Sequence, residues 1–409
     1  MKNNFPLSGF SSVALHAANN SNNAYAHSTP IYATSTFVFD NAQQGMERFE
    51  SEDKEKIYSR WSNPTFKVAE ETIAAFEAFN IKTNNGNTIQ LKALLHASGQ
   101  AAMTTMFLSC LQVGDTVLSH YSLYGGTYEL MYKVLRQAGI NIEIVNFKNL
   151  NEVEDRIKQN KTIKFIHIET PANPTIQCVD IEAISTLAKQ FNIKVSVDNT
   201  FATPYLQQPF QFGVDFVLHS TTKFLNGHGT SIGGVLLGSD IDFMKQKVWK
   251  WFALLGGNAN AFDAFMLING MKTLELRMER HCSNAKQVAS FMQQHHAIAQ
   301  VNYNGLESHV DYALTLKQMK HAGALLSFEL KGGIESGKKF IDNLKMCTRA
   351  VSLGTVDTLV SHPASMTHYS VPKEERIKFG ITDGLIRVSI GIENVEDILN
   401  DFDQALHSV

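Results

Sequence analysis

The stretch KVSVDNTFATPYLQQPFQFGVDFVLHSTTK, residues 194–223, holds an acid and an amine where they could act together. Val195–Val197 and Phe216–Leu218 are apolar enough to be buried strands. The first runs out at Asp198, the second at Ser220, Thr221, Thr222 and Lys223. Strand ends about 20 residues apart suit neighbours in an α/β sheet, whose carboxyl ends line a ligand-binding crevice. An Asp and a Lys facing one crevice are what pyridoxal phosphate requires. The lysine forms a Schiff base, and the acid keeps the ring nitrogen protonated so that the ring withdraws electrons. Desolvation would lower the Lys223 pKa toward the neutral amine this chemistry needs.

Other strand ends deliver polar groups to the same edge. Leu91–Ala97 reads as a strand running into Ser98–Gly99 and a helix from Gln100 through Leu111. Backbone N–H groups left free at that junction suit a phosphate. The helix dipole contributes only ~0.3–2 kcal/mol, so Ser220 and Thr222 hydroxyls and an arginine are expected to add donors. Thr116–His120 is a strand leading to Tyr124, with a helix expected from Tyr128 to about Gln137; Phe165–Glu169 is a strand leading toward Asn173. Taken singly, a Ser-Gly turn, a loop lysine or a turn-forming Asp is unremarkable; the signal is their convergence. GHGTSIGG is not a GxGxxG opening a helix after the first strand, and no GxxxxGK[ST] exists, so dinucleotide and nucleoside-triphosphate sites find little support.

Strands alternating with helices argue for a mostly parallel sheet with crossover helices. Asn63–Pro64 opens a helix bearing Ala69, Ile73 and Phe76, and Asp180 caps another bearing Ile181, Ile184, Leu187 and Phe191. Past residue 262 the pattern changes to long helices, the strands Leu325–Glu329 and Ile386–Ile390, and a last helix with Val395, Ile398, Leu399, Phe402 and Leu406 on one face. The expected domains are an arm over 1–62, a cofactor-binding domain over 63–262 and a smaller α+β domain over 263–409. The arm is too rich in aromatics (Tyr32, Phe37, Phe39, Tyr58, Trp61) for a solvated tail, which suggests packing on another surface.

With 409 residues, 44% of them hydrophobic, the chain can bury a large core. A net charge of −3 gives no electrostatic case for nucleic acid or an anionic membrane. The four cysteines, Cys110, Cys178, Cys282 and Cys347, are widely spaced without CxxC, arguing against zinc or a disulfide framework; no metal is expected. The opening MKNNFPLSGFSSVALHAANN lacks a signal-peptide h-region, and no apolar run nears the ~20 residues of a membrane span. A cytoplasmic protein is expected.

The motifs YSRWSNPT, ASGQAAM, LYGGT, ETPANPT, VDNTFATPYLQ, HSTTK, SLGTVDTLVSHPASMTH and DGLIRVSIGIENVEDI run from Tyr58 to the C-terminus. Together they resemble the Cys/Met-metabolism family of pyridoxal-phosphate enzymes, which includes cystathionine γ-synthase, cystathionine lyases, methionine γ-lyase and homoserine-ester sulfhydrylases. The resemblance implies a three-layer α/β fold of the fold-type-I class of pyridoxal-phosphate-dependent transferases. It implies that Lys223 forms the Schiff base, Asp198 pairs with the ring nitrogen and Tyr124 stacks on the ring and assists the leaving group. Gly99, Gln100, Ser220 and Thr222 would bind the phosphate, joined by Tyr58 and Arg60 from a neighbouring subunit. Arg387, with Asn173 and Ser352, would hold the substrate α-carboxylate. The assembly would be a homotetramer, a dimer of active dimers.

Within the family, methionine γ-lyases commonly carry Cys where this chain reads Gly126, and a β-lyase would show Trp where Leu353 stands. The expected activity is C–S lysis by γ-elimination on methionine or cystathionine, giving 2-oxobutyrate, ammonia and a thiol. The alternatives are γ-replacement, as in cystathionine γ-synthase or an O-acylhomoserine sulfhydrylase, then an aminotransferase or a non-catalytic relative.

Overall fold

The structure is a computed structural model that describes residues 7–18, 25–51, 54–366, 369, 373–378 and 380–409. Thr367 and His368 of the SLGTVDTLVSHPASMTH motif lie outside the described residues. The larger sheet contains β1 (Lys92–His96), β2 (Thr116–His120), β3 (Asn141–Val145), β4 (Ile163–Glu169), β5 (Lys194–Asp198), β6 (Phe216–His219) and β7 (Gly234–Gly238). They lie in the order β1-β7-β6-β5-β4-β2-β3. Pairs β2·β3, β2·β4, β4·β5 and β5·β6 are parallel, and β7 runs antiparallel to both β1 and β6. The near-continuous apolar runs of these strands follow from burial on both faces by crossover helices. Val197, Val217, Leu236 and Leu237 are fully buried.

β7, which the sequence pattern did not reveal, begins at Gly234, the last residue of GHGTSIGG. Its first residue explains the composition: a Cβ on Gly234 would come within 2.6 Å of the Gly99 nitrogen and still closer to Ser98. Only glycine lets β7 pass beneath the turn that follows β1. Gly234→Ala is therefore expected to destabilise the protein by about 1–3 kcal/mol, read as a lower urea midpoint at unchanged slope.

Helix starts follow local capping rules. Asn63 accepts from the Thr65 N–H with Pro64 in the first turn, and Asp180 accepts from the Ala183 N–H. The helix expected from Tyr128 starts earlier, at Gly125, and passes at Leu130 into a wider π-helical turn ending at Leu135. The two glycines conceal that start in the sequence; the anchoring that compensates for them comes from β4, described below.

A second sheet contains β8 (Ile298–Asn302), β9 (Leu325–Leu330), β10 (Thr348–Arg349), β11 (Leu359–Ser361) and β12 (Leu385–Ser389), in the order β10-β11-β12-β9-β8. The last helix, Val395–Leu406, lays Ile398, Phe402 and Leu406 into the core of this sheet. At the other end of the chain, Phe10 is buried against Phe76, with ring centroids 4.5 Å apart, so the first helix (Phe10–His16) docks on its own subunit. Val38 and Phe49, by contrast, stay exposed.

Candidate active site

The ends of β4, β5 and β6 lie side by side and place Glu169, Asp198 and the loop from Ser220 at one edge. Thr200 joins two of them. Its backbone N–H (3.0 Å) and hydroxyl both donate to Asp198 Oδ1, and the same hydroxyl accepts from the Ser220 N–H at 2.8 Å. Asp198 Oδ2 has no hydrogen-bond partner among the described residues. Burial, and next the neighbouring Glu169, push the Asp198 pKa up to about 6, against the donors of Thr200. The residue nevertheless keeps part of its surface accessible.

Lys223 sits one turn beyond Ser220. Its Nζ donates to Ser352 Oγ at 3.0 Å, and its pKa is lowered, first by burial and then by the nearby Arg387. Two devices hold its backbone. The buried Arg277 donates to the carbonyls of Phe224 (2.7 Å) and Gly270 (2.8 Å). Gly354, at φ +77°, lies so close that a Cβ would meet Phe224 N at 2.6 Å, which brings the Ser352 loop against Lys223.

Arg387, in the middle of β12, reaches the same point from the second sheet. Nη2 donates to the carbonyls of Ser352 (2.8 Å) and Val351 (3.1 Å), and Nη1 to Asn173 Oδ1 at 3.4 Å. The residue is 5% exposed, its Nε is buried with no partner, and no carboxylate pairs with it among the described residues. Burial lowers its pKa to about 10, opposed by Tyr124. A desolvated cation bonded only to neutral acceptors is costly unless a carboxylate arrives to pair with it.

At the opposite end, Ser98 caps the helix Gly99–Cys110 by accepting from the Ala101 N–H at 3.1 Å. A Cβ on Gly99 would stand 3.1 Å from Ser220 Cβ, so the N–H groups of that first turn and the Ser220 side chain form one cradle. Thr222 belongs to the same loop, but its hydroxyl is engaged with Gly233, accepting from the N–H at 3.0 Å and donating to the carbonyl at 3.2 Å. Tyr124 is about half exposed, and its ring and the Gln100 amide flank Gly126, whose Cβ would meet them at 2.5 and 2.6 Å. A cysteine there would displace one of them.

Lys223, Ser352, Arg387 and Asn173 are thus joined by direct hydrogen bonds, and Asp198 and Ser220 through Thr200. Tyr58 and Arg60 stand apart. Arg60 donates to the Ala253 carbonyl at 2.7 Å and lies over the rings of Tyr58 (5.5 Å) and Trp61 (5.9 Å), with no contact to Lys223 or Asp198 among the described residues. Sequence reasoning overlooked Thr200 and Glu169. The Asp-x-Thr spacing of Asp198 and Thr200 is the local signal for such a side-chain turn; Glu169 has no local signal, because its partners come from another loop.

These residues fit pyridoxal phosphate. An open, protonatable oxygen at Asp198 suits a ring N–H, a pKa-lowered amine at Lys223 suits Schiff-base formation, and the Gly99/Ser220 cradle suits a phosphate.

A family model described as Cys/Met metabolism PLP-dependent enzyme matches residues 11–407. The chain is 45% identical to an L-methionine γ-lyase of Fusobacterium nucleatum subsp. polymorphum over 407 residues, 98% of each chain. It is 40% identical to a cystathionine β-lyase of Coxiella burnetii over 381 residues, 92% of each. Among solved structures, it superposes with TM-score 0.90 and 34% identity on cystathionine γ-synthase of Xanthomonas oryzae pv. oryzae, covering 99% of both chains.

Proposed function

We propose the following activity for a chain that belongs to the Cys/Met-metabolism family of pyridoxal-phosphate-dependent enzymes: γ-elimination on a sulfur amino acid, with L-methionine as the favoured substrate. The observation that carries it is the hydrogen-bonded series Lys223, Ser352, Arg387, Asn173, which sets a deprotonatable amine beside a guanidinium that has no carboxylate partner among the described residues. An α-amino acid carries its amino group and its carboxylate on one atom, Cα, and so can engage both.

When bound, pyridoxal phosphate supplies a carbonyl carbon for the Schiff base and an electron-withdrawing ring for charge developing at the substrate Cα. Lys223 would hold its carbonyl carbon, Asp198 Oδ2 its ring N–H, Tyr124 one ring face, and Gly99, Gln100, Ser220 and Thr222 its phosphate. For Thr222 this requires its hydroxyl to exchange the Gly233 carbonyl for a phosphate oxygen. Tyr58 and Arg60 of a neighbouring subunit would complete the phosphate site, since within one chain Arg60 bonds the Ala253 carbonyl and lies over the Tyr58 ring. The exposed apolar side chains Val38, Phe49, Leu254 and Phe262 support an assembly of copies of this chain, proposed as a homotetramer built from active dimers.

Arg387 binds the α-carboxylate in a two-pronged fork and, with Asn173 and Ser352, fixes which bond at Cα is aligned for cleavage. Lys223 Nζ, whose proton affinity is lowered by burial and by Arg387, takes the α-proton. The Tyr124 phenol is placed to donate a proton to the departing sulfur. Loss of the thiol and hydration of the remaining four-carbon fragment balance methionine and water against 2-oxobutyrate, ammonia and methanethiol.

The extent of similarity to L-methionine γ-lyases supports methionine even though Gly126 replaces the cysteine of that triplet. Likeness to cystathionine γ-synthase keeps γ-replacement as the second reading. The deciding test is product analysis of the purified holoenzyme with methionine, cystathionine, and O-acetylhomoserine plus sulfide. Stoichiometric 2-oxobutyrate and methanethiol from methionine are expected. A new thioether or homocysteine as the main product, with no 2-oxobutyrate, would assign γ-replacement, and pyruvate from cystathionine would assign a β-lyase. No helix among the described residues is long and apolar enough to cross a membrane, and we propose a cytoplasmic location.

A further inference from the structure

Tyr124 opens a helix that has little reason to form. Its first two residues are Gly125 and Gly126, each costing about 1 kcal/mol relative to alanine in a helix, and the regular turn lasts only to Glu129. A Cβ at position 126 would require the Tyr124 ring and the Gln100 amide to shift, because they occupy the space it needs. The segment is held instead by one carboxylate. Glu169 Oε2 accepts from the Tyr124 backbone N–H at 2.5 Å, and Oε1 accepts from the Thr127 hydroxyl, so both oxygens clamp the two sides of the glycine pair.

The same carboxylate has a second neighbour. Glu169 ends β4 and Asp198 ends β5, and the two are directly opposed in register on adjacent parallel strands. Residues so paired project from the same face. The preceding pair on that face, His167 and Ser196, is hydrogen-bonded at 2.8 Å, and His167 Nε2 is 3.9 Å from Glu169 Oε1. On the other flank of Asp198, β6 presents Leu218, and beyond it His219, whose ring turns away to Glu77 at 2.6 Å. Glu169 and His167 are thus the titratable groups facing Asp198. Glu169 acts to raise its proton affinity and His167 to lower it.

We propose that the Glu169 carboxylate is a single positioning device for the cofactor site: it fixes the turn carrying Tyr124, and its charge stands against that of Asp198, the group that would meet the ring nitrogen. The inference rests on the reading of Asp198 as the ring partner. Its consequence is that ring cover and ring protonation are set together. A shift of Glu169 that loosens Tyr124 also changes the charge felt by Asp198.

The test titrates apoprotein with pyridoxal phosphate from acid to neutral pH, following cofactor absorbance and induced circular dichroism, for wild type, Glu169→Gln, Thr127→Val and Asp198→Asn. In Glu169→Gln the amide oxygen can accept from Tyr124 N–H and the amide NH2 can donate to the Thr127 hydroxyl, so geometry is kept while the charge is lost. With the like charge gone, Asp198 stays ionised to lower pH. The acid limb of cofactor affinity should therefore move down by about one pH unit, with induced dichroism near that of wild type. Thr127→Val keeps the charge and removes half of the clamp, so dichroism should fall with no movement of the limb. A limb unmoved in Glu169→Gln, or a limb that moves equally in Thr127→Val, overturns the proposal. Asp198→Asn should weaken cofactor binding at least tenfold; unchanged affinity there would remove the underlying reading of Asp198 instead.

Discussion

Lys223→Ala should yield a folded protein without lyase activity and without the visible absorbance of a cofactor bound as a Schiff base. Loss of a positioned general base alone lowers turnover by about 10²–10⁴-fold, and here the covalent attachment point goes with it. The amine is prepared for both tasks by its surroundings: burial and Arg387 lower its pKa, and Ser352 Oγ accepts its hydrogen bond at 3.0 Å. The side chain lies at a loop whose backbone is held by Arg277 and the Gly354 contact, so truncation beyond Cβ should leave the fold intact. Absorbance of the purified protein and its melting temperature check the prediction together. A variant that keeps the visible band would refute the assignment of Lys223.

Arg387→Ala should cost the largest share of substrate recognition. A hydrogen bond to a charged group contributes about 1.5–3 kcal/mol net, and a fork makes two, so kcat/KM is expected to fall by about 10²–10⁴-fold. Arg387→Lys should recover little, because an ammonium has no planar fork and cannot hold the Val351 and Ser352 carbonyls while meeting a carboxylate. Cofactor absorbance should remain in both variants, since no contact places Arg387 at the phosphate cradle. Steady-state kinetics with methionine decide the matter, and an unaltered kcat/KM in the alanine variant would move the carboxylate site elsewhere.

Much of this site was legible in the chain because its parts are local. Apolar runs ending in polar residues mark β5 and β6, and with them Asp198 and Lys223. Asn63–Pro64 and Asp180 mark helix starts by side-chain capping, which needs only residues two or three apart. What escaped depends on partners distant in sequence. β7 is only five residues long and bounded by glycines, Gly234 packed against Ser98 and Gly99 and Gly238 against Met244, so its strand signal is weak until those contacts are known. β8 is short, half exposed and polar at alternate positions. The helix at Gly125 begins with its weakest formers because a carboxylate 45 positions away supplies the anchorage. Thr222 illustrates the reverse: a hydroxyl correctly placed near the cradle is already bonded to Gly233, a fact that sequence spacing cannot convey.

The isolated guanidinium nitrogen of Arg387 bears on how this protein can evolve. Among the described residues Arg387 has no counter-ion, and a buried unpaired cation makes the resting chain less stable than a neutral, well-packed replacement would, so drift toward greater stability at this position runs against the carboxylate-binding role proposed for it. Selection for robustness alone would remove the charge first.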